Sequence, residues 1–150
     1  MTEYYSEMLQ KGLEYQDFIT NLLLKEIGIT ISTYVSKRYQ IERGENAQGV
    51  EIKFDDKMDN TGNVYIETAE KTDPRNEKFI ASGIYRDDNT WLYAIGNYSV
   101  VYILSKKFLV LMHKSKKYRE VEIPTSQGFL ITCTDVSKYC LKEIILKRLE

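Results

Sequence analysis

Hydrophobic and polar positions alternate with two different periods along this chain. In the N-terminal part, apolar residues recur every three or four positions, which predicts an amphipathic helix over residues 3–26 that ends before Gly28. The apolar stripe of this helix consists of Tyr15, Phe18, Ile19, Leu22 and Leu23. Residues 49–71 instead alternate between apolar and polar or charged side chains, and a period of two is typical of strands with one buried face.

The alternating segment predicts a β-hairpin with a charged face. Its two arms flank the turn-rich sequence DDKMDNTGN. If the chain turns near Asn60, Lys53 in the first arm lies opposite Glu67 in the second arm. Glu51 and Asp55 then lie diagonally across from Glu67, within reach of long side chains. This face would hold several carboxylates and one lysine, so a divalent metal could bridge them.

The remaining segments complete a mixed α/β pattern. Gly96-Asn97 is typical of a tight hairpin turn and separates two apolar strand-like segments. Asp73-Pro74 favours the start of a short helix that ends near Ser82-Gly83. Further strands are predicted over residues 91–95, 98–104, 119–123 and 128–134, and further helices over residues 105–115 and 135–149, the last capped by Thr134 or Asp135. Residues 1–150 are thus predicted to form a single α/β domain with a mixed central β-sheet flanked by helices.

Composition narrows the class of protein. An apolar fraction of 43% and a charged fraction of 29% are typical of ordinary globular proteins. The longest apolar run, FLVLM, is far shorter than the ~20 residues that span a bilayer. The N-terminal sequence has neither a basic nor an apolar signal region, which predicts a cytoplasmic protein without a membrane partner. Cys133 and Cys140 are too few for a zinc cluster or a disulfide framework, so we expect reduced thiols.

The formal net charge of −1 conceals an asymmetry along the chain. Residues 1–75 carry nine Lys and Arg against fourteen Asp and Glu, whereas residues 76–150 carry twelve against eight. Residues 105–119 contain no acid and surround the apolar FLVLM sequence, a pattern that can present cations to a phosphate backbone but also suits a merely solvated surface. The candidate DNA-binding residues are Lys106, Lys107, Lys114, Lys116, Lys117 and Arg119.

The acidic residues follow a recognisable order of elements. A leading helix carries Glu14, a strand carries Glu51 and Asp55, and a later strand carries Glu67 in the sequence IETAEK. Over roughly residues 10–105 this order resembles the PD-(D/E)XK nuclease superfamily, which has the restriction-endonuclease-like fold. The resemblance implies a DNA nuclease whose Mg²⁺ or Mn²⁺ ion is bound by Glu67, by Asp55 or Glu51, and optionally by Glu14.

The catalytic lysine of that family follows the Glu by two positions, and Ala69 occupies the corresponding position here. Two other lysines could replace it. Lys71 would need a β-bulge, because an extended strand carries it ~13 Å beyond Glu67. Lys53 lies opposite Glu67 in the proposed hairpin, so geometry favours it. The resemblance implies that this lysine assists the attacking water and stabilises negative charge on the phosphate. Residues 81–107 are also similar to segments of small phage and Gram-positive proteins of the same superfamily.

Three functions are compatible with these patterns. The first is a Mg²⁺-dependent DNA nuclease, acting either as a monomer or as a homodimer. The second is a non-catalytic DNA-binding or protein-interaction module of the same fold, which would explain Ala69. The third is an acid-rich protein that mimics or covers a partner's surface, and it depends only on the negative first half of the chain. Cross-strand ion pairs on a solvated sheet would produce the same alternation of charges in the hairpin.

Overall fold

The computed structural model describes residues 3–146 and confirms a single, mixed α/β domain. Its strands are divided between two four-stranded sheets. The helices are α1 (Glu3–Ile27), α2 (Lys37–Arg43), α3 (Met58–Thr61), α4 (Lys106–Lys114) and α5 (Cys133–Tyr139), with a 3-10 helix at Gly83–Tyr85. The strands are β1 (Val50–Phe54), β2 (Asn63–Glu70), β3 (Ile80–Ala81), β4 (Leu92–Gly96), β5 (Val100–Ser105), β6 (Arg119–Ile123), β7 (Ser126–Thr132) and β8 (Lys142–Ile145). Within residues 3–146, no helix is long and apolar enough to cross a membrane.

The first sheet has the strand order β1-β4-β5-β8 and is mixed, because β1 and β4 run parallel while the other neighbours are antiparallel. Helix α1 covers one face of this sheet, where Tyr15, Ile19 and Leu23 are buried against the strands. These side chains share one face of the helix, as the sequence predicts. The helix ends at Gly28, whose φ of +70° is a conformation that glycine adopts more readily than other residues.

The second sheet has the strand order β3-β2-β7-β6 and is wholly antiparallel. Its inner face, including Val64, Ile66, Phe129 and Ile131, packs with α4 and α5 against the first sheet. Burial of each such side chain contributes about 1.5–3 kcal/mol to the stability of the domain. Alternate residues of the same strands point the other way, and that outer face forms one wall of the cleft described below.

Several local predictions are confirmed. Strands β4 and β5 form the expected hairpin, closed by a hydrogen bond of 3.0 Å from Asn97 N–H to the Val100 carbonyl oxygen. Helix α4 begins after Ser105, whose hydroxyl oxygen accepts a hydrogen bond of 3.3 Å from Phe108 N–H. The strands predicted over residues 119–123 and 128–134 are present as β6 and β7, which pair with each other. Each of these features depends on neighbouring residues, which is why the sequence is sufficient to predict them.

The helix predicted over residues 73–82 is wrong. The Asp73 carboxylate accepts a hydrogen bond of 2.9 Å from Arg75 N–H and pairs with the Arg75 guanidinium at 2.7 Å. These contacts close a turn in place of the first turn of a helix. Ile80 and Ala81 then pair with β2 as the short strand β3.

Of the final helix predicted over residues 135–149, residues 135–139 are helical, whereas residues 142–145 form a strand. Helix α5 starts earlier, after Thr132, whose hydroxyl oxygen accepts a hydrogen bond of 3.2 Å from Asp135 N–H, and it ends at Tyr139. The chain then returns as β8 beside β5, with Ile144 buried and Ile145 72% exposed. Residues 147–150 of the predicted helix lie outside the described residues. Helix α2 forms over residues 37–43, for which the sequence analysis predicts no element.

The hairpin predicted over residues 49–71 is a third correction. Strand β1 lies at the edge of the first sheet and pairs with β4, whereas β2 belongs to the second sheet. Between them, the Asp55 carboxylate accepts hydrogen bonds from Lys57 N–H at 3.1 Å and from Tyr65 N–H at 3.2 Å. Asp55 thereby ties the end of β1 to the start of β2 while each strand pairs with a different neighbour.

Candidate functional site

A cleft lies where β1 of the first sheet approaches β2 of the second. It consists of a larger cavity of about 560 Å³ and a smaller, polar cavity of about 240 Å³. Four residues line both cavities, namely Lys53, Glu67, Gly83 and Tyr93. The charged side chains of β1 and β2 therefore meet in this cleft although the two strands do not pair.

Lys53 is surrounded by carboxyl groups, and we refer to Lys53, Glu45, Glu51 and Glu67 as the acid–lysine cluster. The Lys53 ammonium lies 3.2 Å from Glu51 Oε1. The Lys53 side chain is 46% exposed, but protein atoms crowd its ammonium group, and this burial acts to lower the pKa of Lys53. The charges of Glu51, Glu67 and Glu45 outweigh burial and raise this pKa above its ordinary value. Lys53 thus stays a charged donor at neutral pH.

Glu45 precedes β1 and is fixed from two sides. The Gln16 side-chain amide of α1 donates to Glu45 Oε1, and the Ile52 backbone N–H donates to Oε2 at 3.2 Å. Burial, reinforced by the nearby charge of Glu51, raises the pKa of Glu45 to about 8, although the Ile52 hydrogen bond opposes this shift. At pH 7 Glu45 is consequently mostly protonated and hydrogen-bonded to Glu51.

Glu67 enters the cluster from the second sheet and is oriented by two serines. Ser126 Oγ donates to Glu67 Oε1 at 3.0 Å, and Ser82 Oγ donates to Oε2 at 3.1 Å. The 3-10 helix packs closely behind this strand, where Gly83 has a φ of +55°. A β-carbon on Gly83 would lie 2.1 Å from the Glu67 carbonyl oxygen, so this approach requires glycine.

The chain matches no family model, no curated protein and no solved structure. What the cleft can do follows from its own side chains. Within residues 3–146, no three or more His, Cys, Asp or Glu side chains are grouped closely enough to hold a metal ion by themselves. A metal in this cleft would need oxygen atoms of water or substrate to complete its coordination.

Two of the predicted site residues lie apart from the cleft. Glu14 is exposed on α1 and accepts a hydrogen bond of 3.1 Å from the Gln10 side chain. The Lys71 ammonium lies 4.3 Å from the centre of the Phe79 ring. A β-bulge is present between Glu67 and Ala69, but it does not bring Lys71 to the lining of either cavity.

Asp55, a predicted metal ligand, does line the larger cavity. Both of its carboxylate oxygens already accept backbone hydrogen bonds, as described above. Its place in the structure is explained by the connection between β1 and β2. Of the four predicted metal ligands, Glu51 and Glu67 belong to the acid–lysine cluster.

The predicted basic residues fall into two groups. Lys106 is 16% exposed, and its ammonium donates to the Arg86 carbonyl oxygen at 2.7 Å and to Asp88 Oδ1 at 3.2 Å. It is therefore neutralised inside the domain. The other five lie exposed on α4, β6 and the turn between them: Lys107, Lys114, Lys116, Lys117 and Arg119. Arg119 also lines the larger cavity, so one of these five exposed cations lies at the cleft.

Sequence analysis missed Glu45 and the relation between Glu51 and Lys53. Glu51-Ile52-Lys53 has the same acid-x-lysine spacing that was sought at Glu67 and Ala69. Residues two apart on a strand share a face, so this signal was present in the sequence. Glu45 carries no such signal, because its contacts with α1 and β1 exist only in the folded chain.

Proposed function

We propose that this chain is a metal-dependent DNA nuclease that hydrolyses phosphodiester bonds with Mg²⁺ or Mn²⁺ held at the acid–lysine cluster. The observation that supports this proposal is that Glu51 of the first sheet and Glu67 of the second sheet meet at Lys53. The Lys53 ammonium lies 3.2 Å from Glu51 Oε1, and Lys53 lines both cavities together with Glu67. Three carboxyl groups act on a single ammonium group, so the cluster favours additional positive charge. A divalent cation bound by these carboxylate oxygens would supply that charge.

The donor atoms suit Mg²⁺ and Mn²⁺. Mg²⁺ is usually bound by one or two carboxylates together with water and phosphate oxygens, and the cluster offers only oxygen donors from its acids. Glu51 and Glu67 would be the protein ligands, and water and phosphate oxygens would complete the coordination. A metal bound there would polarise the scissile phosphate and increase the acidity of a bound water molecule.

The protein groups have separate parts in this proposal. Lys53 stays charged and is held by Glu51, so it can donate to a phosphate oxygen on which negative charge develops. The serine hydroxyls on Glu67 fix the direction of its carboxylate. Glu45 can accept or release a proton near pH 8, close to the pH at which the enzyme would operate.

The order of these residues also supports the proposal through the family resemblance. A long helix comes first, an upstream acid follows in Glu45, and an acid-x-lysine element follows in Glu51 and Lys53. The sequence analysis assigned the acid of this motif to Glu67 on β2 and therefore required a displaced lysine. We instead assign the acid-x-lysine motif to Glu51 and Lys53 on β1, where the lysine has its usual spacing.

A second candidate is a non-catalytic DNA-binding or protein-interaction module. It is favoured by the finding that, among the described residues, no group of three or more potential ligands could hold a metal. In that case the cluster would only stabilise the junction of the two sheets, and the exposed basic residues of α4 and β6 would carry any affinity for DNA.

Calorimetric titration with Mn²⁺ and a plasmid-nicking assay separate the two candidates. We expect the wild-type protein to bind Mn²⁺ and nick supercoiled DNA. Glu51→Gln should lose metal binding and reduce the nicking rate by ~10²–10³, the usual effect of removing one positioned charged group. Glu14→Gln is the matched control, because that exposed acid lies outside the cleft.

DNA binding without Mn²⁺ binding or nicking would support the non-catalytic module instead. Equal nicking by the wild type and Glu51→Gln would remove the acid–lysine cluster from the reaction. Circular dichroism of each variant checks that a loss of activity does not reflect a loss of folding.

A further inference from the structure

The larger cavity has a character different from that of the acid–lysine cluster beside it. Its floor is the outer face of the second sheet, where cross-strand rows bring together side chains of β2, β7 and β6. One row joins Tyr65, Leu130 and Arg119, and the next joins Glu67, Gly128 and Val121. We call this cavity the apolar chamber, because its lining includes Phe54, Tyr65, Val121, Ile123 and Leu130.

Glycine keeps the centre of this floor open. A β-carbon on Gly128 would lie 2.6 Å from the Tyr65 ring, so a larger residue would displace the ring from the floor. The Tyr65 hydroxyl is held at 2.5 Å from Ser126 Oγ, and the same serine hydroxyl donates to Glu67. The aromatic ring in the chamber and the carboxylate of the cluster are therefore positioned by one shared contact.

The volume of the chamber limits what it can hold. At about 560 Å³ it lies within the range of ~300–1,000 Å³ that is usual for pockets that bind one small molecule. One unstacked nucleotide fits this range, whereas a stacked base pair inside a duplex would first have to open. Apolar and aromatic surfaces bind the faces of bases with little regard to sequence.

Cations stand at the rim of the chamber. Lys57 and Arg119 line it and are exposed, and within residues 3–146 neither side chain makes a hydrogen bond or an ion pair. The acids that line the chamber are Asp55, Asp56 and Glu67. The carboxylate of Asp55 accepts hydrogen bonds from two backbone N–H groups, and that of Glu67 accepts hydrogen bonds from two serine hydroxyls. Lys53 adds a third cation where the chamber meets the cluster. These three cations line the same cavity as the apolar side chains, so a bound base and its phosphates would both have partners there.

We propose that the apolar chamber receives one unpaired nucleotide of single-stranded DNA, with its base against Tyr65, Val121 and Leu130 and its phosphates between Arg119 and Lys53. This inference rests on the proposed function, and it names the substrate class as single-stranded DNA or the unpaired part of a partly duplex molecule. The chamber adjoins the cluster, so the phosphate next to the bound base would be the one presented for hydrolysis.

The test measures binding without metal, so that it does not depend on cleavage. Fluorescence anisotropy in EDTA would compare a labelled 12-nucleotide oligothymidine with a blunt 12-base-pair duplex. Val121→Trp fills the chamber from an exposed edge strand, and Arg119→Ala removes a rim cation without altering the floor. Lys25→Ala is the charge-matched control, because this exposed lysine of α1 lines neither cavity.

We expect the wild-type protein to bind oligothymidine about tenfold or more tightly than the duplex, since one stacked base accounts for a difference of that order. Val121→Trp and Arg119→Ala should each weaken oligothymidine binding by about fivefold or more, and Lys25→Ala by less than about twofold. Equal affinity for the two probes, or full affinity in both chamber variants, would overturn the inference.

The two proposals fail in different ways. If oligothymidine binds in the chamber but neither probe is cut when Mg²⁺ or Mn²⁺ is added, the nuclease proposal fails and the binding site stands. If the duplex is cut by the wild type while oligothymidine is ignored, the nuclease stands and the chamber is not the substrate site.

Discussion

Replacing Glu45 with glutamine should reduce the dependence of stability on pH. In the folded protein, burial and the charge of Glu51 raise the pKa of Glu45 from an ordinary value of 4.5 to about 8. In the unfolded chain this carboxyl is solvated and returns to its ordinary value. Glutamine has nearly the same shape as the neutral carboxyl group but does not ionise. Its amide nitrogen cannot accept a hydrogen bond, so the variant gives up the bond from either Gln16 or Ile52 N–H, and this loss is the same at every pH.

Whether stability rises or falls with pH depends on whether the folded or the unfolded chain keeps the proton of Glu45. Below pH 4.5 both states are protonated, so Glu45 stabilises the fold fully there. As pH rises towards 8, the unfolded chain releases the proton while the folded protein keeps it, and the free energy of unfolding falls. One pKa unit corresponds to about 1.36 kcal/mol, which sets an upper limit of about 5 kcal/mol over this interval. Since Glu45 is only partly buried and water can approach it, we expect about 2 kcal/mol.

Urea unfolding of the wild type and Glu45→Gln at several values between about pH 5 and pH 8, in EDTA, measures this difference. The variant should lose stability more slowly than the wild type as pH rises. Glu42→Gln is the control, because that acid is exposed on α2, where it pairs with Arg38 at 3.0 Å. Parallel curves for Glu45→Gln and the wild type would show that Glu45 is already ionised at neutral pH, and the raised pKa of Glu45 would then be wrong.

Three further results are expected. Lys53→Ala should lower the rate of plasmid nicking by ~10²–10³, whereas Lys71→Ala should leave it unchanged; the opposite order would return the catalytic role to Lys71. Gly83→Ala should destabilise the fold by about 1–3 kcal/mol in urea unfolding, because its φ of +55° is strained for alanine and the added carbon meets a carbonyl oxygen at 2.1 Å. Charge reversal at Lys116 and Lys117 should reduce the slope of log K against log salt by ~0.9 for each lost phosphate contact, and an unchanged slope would place the DNA elsewhere.

The elements that sequence predicts well are those fixed by near neighbours. Helix α1 has a long apolar stripe and a glycine at its end, and the β4–β5 hairpin has a two-residue turn signal. Helix α4 has a serine cap directly before it. In each case the residues that decide the structure lie within a few positions of one another, so no knowledge of the rest of the fold is needed.

Strand pairing is decided over longer distances. The alternation in β1 shows which side chains share a face, but it is the same whether the partner is β2 or β4. Strand β1 pairs with β4, and this pairing places Val50 and Ile52 against α1 in the core of the first sheet. In the C-terminal region, the residues around Ile144 are compatible with either a helix or a strand. They form strand β8 because they can pair with β5 in the first sheet.

The charged faces of β1 and β2 nevertheless meet, for a reason that does not depend on the predicted hairpin. Each strand buries one face in a core, so its charged face must turn to solvent or to a cleft. The short connection held by Asp55 keeps the two strands adjacent, and Lys53 and Glu67 consequently line the same cavities. Binary pattern and chain connectivity were sufficient to bring these two charges together, whereas the protonation of Glu45 required the packing of α1 against β1. Glu45→Gln therefore tests the packing that keeps Glu45 neutral, and Glu51→Gln tests the negative charge that would bind a metal.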